Sequence, residues 1–111
     1  MAKHEFGLMQ IEPQYKERFD ESQPNKYNCI KVDDEFIEPI LIELESLNCY
    51  WHTLQVEGKG IAYCGITLIP PESMDNLTKI LVAQNKLEYN ELILLCKKAR
   101  EENKYIIHFG I

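Results

Sequence analysis

The chain has 111 residues, 45% of them hydrophobic and 27% charged, and a formal net charge of −6. That length suits one domain with a core of its own, and the balance is that of a folded chain rather than a disordered one. An acidic surface argues against general binding to phosphate backbones, and no apolar run approaches the ~20 residues that span a bilayer, so neither a nucleic-acid nor a membrane partner is expected.

The opening MAKHEFGLMQ has neither the apolar h-region nor the cleavage site of a signal peptide, so the expected compartment is cytoplasmic. Cys29, Cys49, Cys64 and Cys96 contain no C-x-x-C pair and each lies in an apolar stretch, which reads as reduced core thiols.

Residues 1–26 read as an N-terminal arm packed on the domain, with HEFGLMQI as a short strand candidate and Pro24-Asn25 as a turn. Phe6, Leu8, Met9, Ile11, Tyr15 and Phe19 make the arm too apolar to hang free. Residues 27–111 read as a single α+β domain. YNCIKV predicts a strand over 27–32, a β-branched and aromatic run that stops at DDE. Ile37, Ile40, Leu41, Leu44 and Leu47 recur at helical spacing, which predicts a helix over about 35–47. Asp33, Asp34 and Glu35 sit where negative charge suits a helix start. Pro39 is awkward inside that helix and fits better at its first position.

The segment NCYWHTLQVEGKGIAYCGITLIPP, residues 48–71, predicts a hairpin turning at Gly58-Lys59, because glycine takes the positive φ of tight turns. Pairing across that turn sets Cys49 against Leu68 and His52 against Gly65. One face then carries Cys49, Trp51, Cys64, Ile66 and Leu68 toward the core. Met74, Leu77, Ile80 and Leu81 predict a second helix, and Tyr89, Leu92, Ile93, Cys96 and Ala99 a third. Asn103 suits the left-handed position after that helix. YIIHFGI closes the chain as a strand. The order β, α, β, β, α-α, β matches a ferredoxin-like βαββαβ (split βαβ) antiparallel sheet with helices on one face and its second helical segment broken in two.

The chemistry-bearing residues divide on strand arithmetic. Cys49 and His52 are three residues apart and point to opposite faces of a strand, while Cys49 and Cys64 are offset by roughly 13 Å, so neither a zinc site nor a disulfide forms from them and no metal or cofactor is expected. Gly58, Gly60 and Gly65 do not fit G-x-G-x-x-G and precede no helix. Asp33, Asp34, Glu35 and Glu38 lack the spacing of an EF-hand loop, and helix-start electrostatics explains them. Lys97, Lys98, Arg100 and Lys104 read as the solvated end of a helix. Cys29 with His52 or His108 is the one loose nucleophile pairing, without a third group to orient it.

What stays unexplained is the sheet face away from the helices. Tyr27, Cys29, Tyr50, His52, Leu54 and Tyr63 are expected there as an interface or ligand face, alongside Val56 and Ile61. Such a patch is larger than a soluble monomer normally exposes. The arm, a second copy of the chain or a ligand held between sheet and arm are the three candidates to cover it. HEFG at 4–7 and HFG at 108–110 echo one another, so pairing of the arm beside the last strand would bring His4 and His108 together. The leading expectation is a non-catalytic interaction or regulatory module that forms a homodimer through this face. The alternatives are a small-molecule-binding domain or minor enzyme using Tyr50, His52 and Tyr63, and an acidic partner that neutralises a basic target.

Overall fold

A computed structural model describes residues 2–111. It contains an open six-stranded antiparallel sheet with helices packed on one face, an α+β architecture. The strands are β1 (Lys3–Leu8), β2 (Ile30–Asp33), β3 (Asn48–Trp51), β4 (Glu57–Lys59), β5 (Ile66–Ile69) and β6 (Ile106–Phe109). Their order across the sheet is β2-β1-β6-β5-β3-β4.

This order departs from the ferredoxin-like plan, and chain direction is the reason. Between β5 and β6 lie two helices, α3 (Met74–Ala83) and α4 (Asn90–Glu102). A single helix returns the chain for a parallel strand, whereas a second helix reverses it once more. The strand that follows is then antiparallel to β5 and pairs with it directly, Thr67 opposite His108. The N-terminal segment differs from expectation too. Residues 3–8 are not laid over the domain but inserted into its sheet, between β6 and β2, with Phe6 opposite both His108 and Ile30.

The first helical segment is interrupted where the sequence is awkward. Helix α1 (Asp34–Ile37) gives way to a 3-10 turn, Glu38–Ile40, that carries Pro39 near its start, and α2 (Leu41–Leu44) follows. Proline has no N–H for the i−4 bond, so the chain tightens there instead of continuing as one helix. Asn103 ends α4 in the left-handed region at φ 55, where the N–H of Lys104 reaches the Ala99 carbonyl at 2.8 Å.

The larger core lies between the sheet and these helices. Phe6, Leu8, Cys49, Ile69 and Ile106 from the strands meet Ile37, Leu44, Leu77, Leu92 and Cys96 from the helical side. The opposite face is apolar as well and is not open: Ile66, Leu68, Ile107 and Phe109 are at most 5% exposed. Residues 10–29 run across it as a strap, with Phe19, Tyr27 and Cys29 packed onto those strands. Of the three candidate covers, the chain's own N-terminal region is the one in place.

The expected hairpin at Gly58-Lys59 is replaced by a tighter reversal. His52 adopts φ 64, and the chain returns at once so that Glu57–Lys59 becomes the short edge strand β4, paired with β3. A Cβ on Gly58 would stand 2.3 Å from the Trp51 ring, so the absence of a side chain, not a turn, is what Gly58 supplies. The loop 60–65 then leads to β5, where Tyr50 faces Leu68 and Trp51 faces Thr67. That register is one residue away from the expected one, and a one-residue slip exchanges the faces of a strand. Ile66 and Leu68 therefore lie under the strap rather than under the helices. Ile61 moves into the helix-side core and Cys64 is exposed.

Candidate functional site

The interior holds one continuous run of polar side chains, assembled by the sheet register. Thr67 is opposite His108 on neighbouring strands, His108 is opposite Phe6, and His4 precedes Phe6 by two residues on the same face. Val32 pairs with His4, which brings Asp34 at the start of α1 beside the same ring. The loop after β4 supplies Tyr63.

With His4 neutral, donor and acceptor chemistry assigns every proton in this run. The Asp34 carboxylate only accepts, and its Oδ1 takes the Tyr63 hydroxyl at 2.5 Å and the Nε2–H of His4 at 2.9 Å. A neutral His4 then accepts at Nδ1, from the Nε2–H of His108 at 2.9 Å. His108 in turn accepts at Nδ1 from the Thr67 hydroxyl at 3.2 Å, and Thr67 Oγ1 accepts from the N–H of Ala62 at 2.7 Å. Among the described residues no buried side-chain nitrogen or oxygen lacks a partner.

The energetics follow from burial. Desolvation, reinforced by the neighbouring His4, holds the His108 pKa down at about 3. The Tyr63 hydroxyl, and after it His4, lower the Asp34 carboxyl below its ordinary value. Tyr63 is pushed up to about 12 by the same bond to Asp34. The arrangement resembles a relay for acid-base chemistry, but His4, His108 and Thr67 are 0% exposed, so no substrate atom reaches them.

The residues singled out from sequence are dispersed by the fold. Tyr27, Cys29, Tyr50 and Leu54 do gather on the far face, packed against Ile66, Leu68, Ile107 and Phe109. Tyr63 leaves that face for Asp34. His52 becomes the fastener of the strap: its backbone oxygen accepts from the N–H of Phe19 at 2.7 Å, and its Nδ1–H donates to the Phe19 carbonyl at 3.0 Å. Asp20 lies 3.3 Å from the same ring nitrogen.

Cys29 is no nucleophile in this setting. Burial, and after it the charge of Glu5, push its thiol up to about 12, and its sulfur is packed against Gly7. Cys49 and Cys96 are likewise raised to about 12 by burial. Titration of the native protein with a thiol reagent near pH 7 should therefore label Cys64 alone, and all four cysteines after denaturation. Rapid native labelling of Cys29 would overturn this assignment. Among the described residues no three His, Cys, Asp or Glu side chains are placed to share a metal ion, and no helix is long and apolar enough to cross a membrane.

Where the strap leaves β1 and returns to β2, it does not close against the sheet completely. A cleft of about 390 Å³ opens there. Leu8 and Met9 at the end of β1, Phe19 and Tyr27 of the strap, and Leu95 of α4 line its apolar part, with Lys26 and Lys98 at the rim. Of the sequence-selected face residues, only Tyr27 lines it. Comparison with protein-family models, with curated proteins and with solved structures finds no match.

Proposed function

We propose that this protein is a non-catalytic binding module whose small-molecule ligand lies in the cleft between the strap, the end of β1 and α4. The observation that carries this reading is the way the far face is covered. Self-association through an open sheet face would need Ile66, Leu68, Ile107 and Phe109 exposed, and the strap buries all four. The same strap leaves a concave recess at its base, lined by apolar side chains on one part and polar ones on another, and its volume falls in the ~300–1,000 Å³ range of ligand pockets.

A catalytic role has less support. His4 and His108 are sealed in the interior, and the Cys29 thiol is held protonated. Regulation by ligand is the natural use of such a module, since a bound molecule would tie the strap to the sheet and helix together.

The test is a fragment library screened by protein-observed NMR. Hits should move the resonances of Leu8, Met9, Tyr27 and Leu95 together. Hits scattered over the surface, or confined to residues around Glu57 and Lys59, would discard the cleft.

A further inference from the structure

Resting on that reading, we infer that the ligand is a small amphipathic anion, an acidic head group on an apolar chain. The recess itself accounts for the chain. Leu8, Met9 and Leu95 offer aliphatic surface, and Phe19 and Tyr27 offer ring faces. None of these five brings a charge, so burying an alkyl or aryl group among them gains ~25 cal/mol per Å² of apolar surface.

The head group follows from how charges are paired around the rim. Some cations of the chain are committed: Arg18 to Asp20, Arg100 to Asp75, and Lys104 to Glu102 and the Gln10 side chain. Lys26 and Lys98 belong with the cations that are not, and what distinguishes them is their place on the cleft. Both border the cleft, and among the described residues neither has a carboxylate within ion-pair distance, although the chain carries 18 acidic residues against 12 basic ones. Lys26 instead lies over the Tyr27 ring, its Nζ 5.6 Å from the centroid, which keeps the ammonium at the mouth of the apolar recess. Glu17 is the one carboxylate in the lining, and its Oε1 accepts the Gln14 backbone N–H at 3.1 Å. Two ammonium groups without partners beside an apolar floor, on a protein of net charge −6, are complementary to a head of negative charge and unfavourable to a cation.

The probes that separate head from chain are decanoate, decanol and decylamine, each titrated into the full-length protein while its NMR spectrum is followed. Decanoate should perturb Leu8, Met9, Tyr27 and Leu95, with decanol about tenfold weaker and decylamine weaker still. Lys26→Glu and Lys98→Glu should each weaken decanoate about fivefold and leave decanol unchanged, while Lys31→Glu, away from the cleft on β2, changes neither. Equal affinity for decanoate and decanol, or indifference of decanoate to both cleft reversals, would overturn the anionic head and leave the cleft standing. If none of the three probes moves those resonances, the cleft itself is overturned.

Discussion

Acidification should unfold this protein by way of His108. The group titrates near 6.5 when unfolded and at about 3 when folded, so between those values the unfolded chain binds more protons and stability rises with pH. The contribution is fully present above pH 6.5 and is lost as pH falls toward 3. From pH 6.5 to 4.5 the loss is ~2–3 kcal/mol, at ~1.4 kcal/mol per unit. Asp34 adds in the same direction at lower pH, because its carboxyl is lowered in the folded state and its stabilisation disappears as pH falls through that lowered value.

The geometry limits how many protons this run can hold. His4 Nδ1 and His108 Nε2 lie 2.9 Å apart and share one proton between them, so protonating both rings fully would set two N–H groups against each other. Urea unfolding at a series of pH values measures the slope. His108→Leu should cost ~2–3 kcal/mol at pH 7, since it strands the His4 Nδ1 and the Thr67 hydroxyl in the interior. The paired change His4→Leu with His108→Leu should cost less than the two single changes summed, because the partners leave together. A flat pH profile in the unaltered protein, or strict additivity in the cycle, would refute the account.

Loosening the strap is the second large effect expected. Phe19→Asp places a carboxylate among Tyr27, Ile107 and Phe109 and removes the ring from the far-face core, at a cost of ~2–4 kcal/mol. With the strap displaced, the β5 and β6 side chains beneath it meet water, and a sheet face of that kind drives association. The variant should elute at higher mass than the unaltered protein in size-exclusion chromatography with light scattering and should bind a hydrophobic dye that the unaltered protein does not. Hydrogen exchange should quicken at Phe19 and Ile66. A monomeric Phe19→Asp protein with unchanged exchange would show that the strap contributes little to covering the sheet.

Much of the fold was legible because local signals and tertiary packing agree. The stripes at Met74, Leu77 and Leu81 and at Leu92, Cys96 and Ala99 form the buried sides of α3 and α4. Pro39 breaks the first helical segment, and Asn103 ends the last one in the left-handed region. The echo of HEFG and HFG reflects real pairing, in which Phe6 meets His108. A sheet covered on both faces was not read from the sequence, although all eight residues of ITLI and IIHF are buried.

The candidate site was less legible, because each of its parts depends on register. His4 and His108 were visible as a possible pair, but Asp34 read as a helix-start charge, and nothing local singles out Thr67. Their roles appear only when β1 lies between β2 and β6. Tyr63 was assigned to the wrong face by a one-residue slip, which originates in the left-handed His52 and the early return of the chain as β4.

Taken alone, the sequence determined the α+β class, the two helices before the last strand and the net negative charge, since these rest on composition and on periodicities a few residues long. Only the tertiary structure decided the strand order, the burial of the His4–His108 pair, the strap over the far face and the cleft at its base. Those features join residues as far apart as His4 and His108, and no local pattern specifies which of several apolar strands lies next to which.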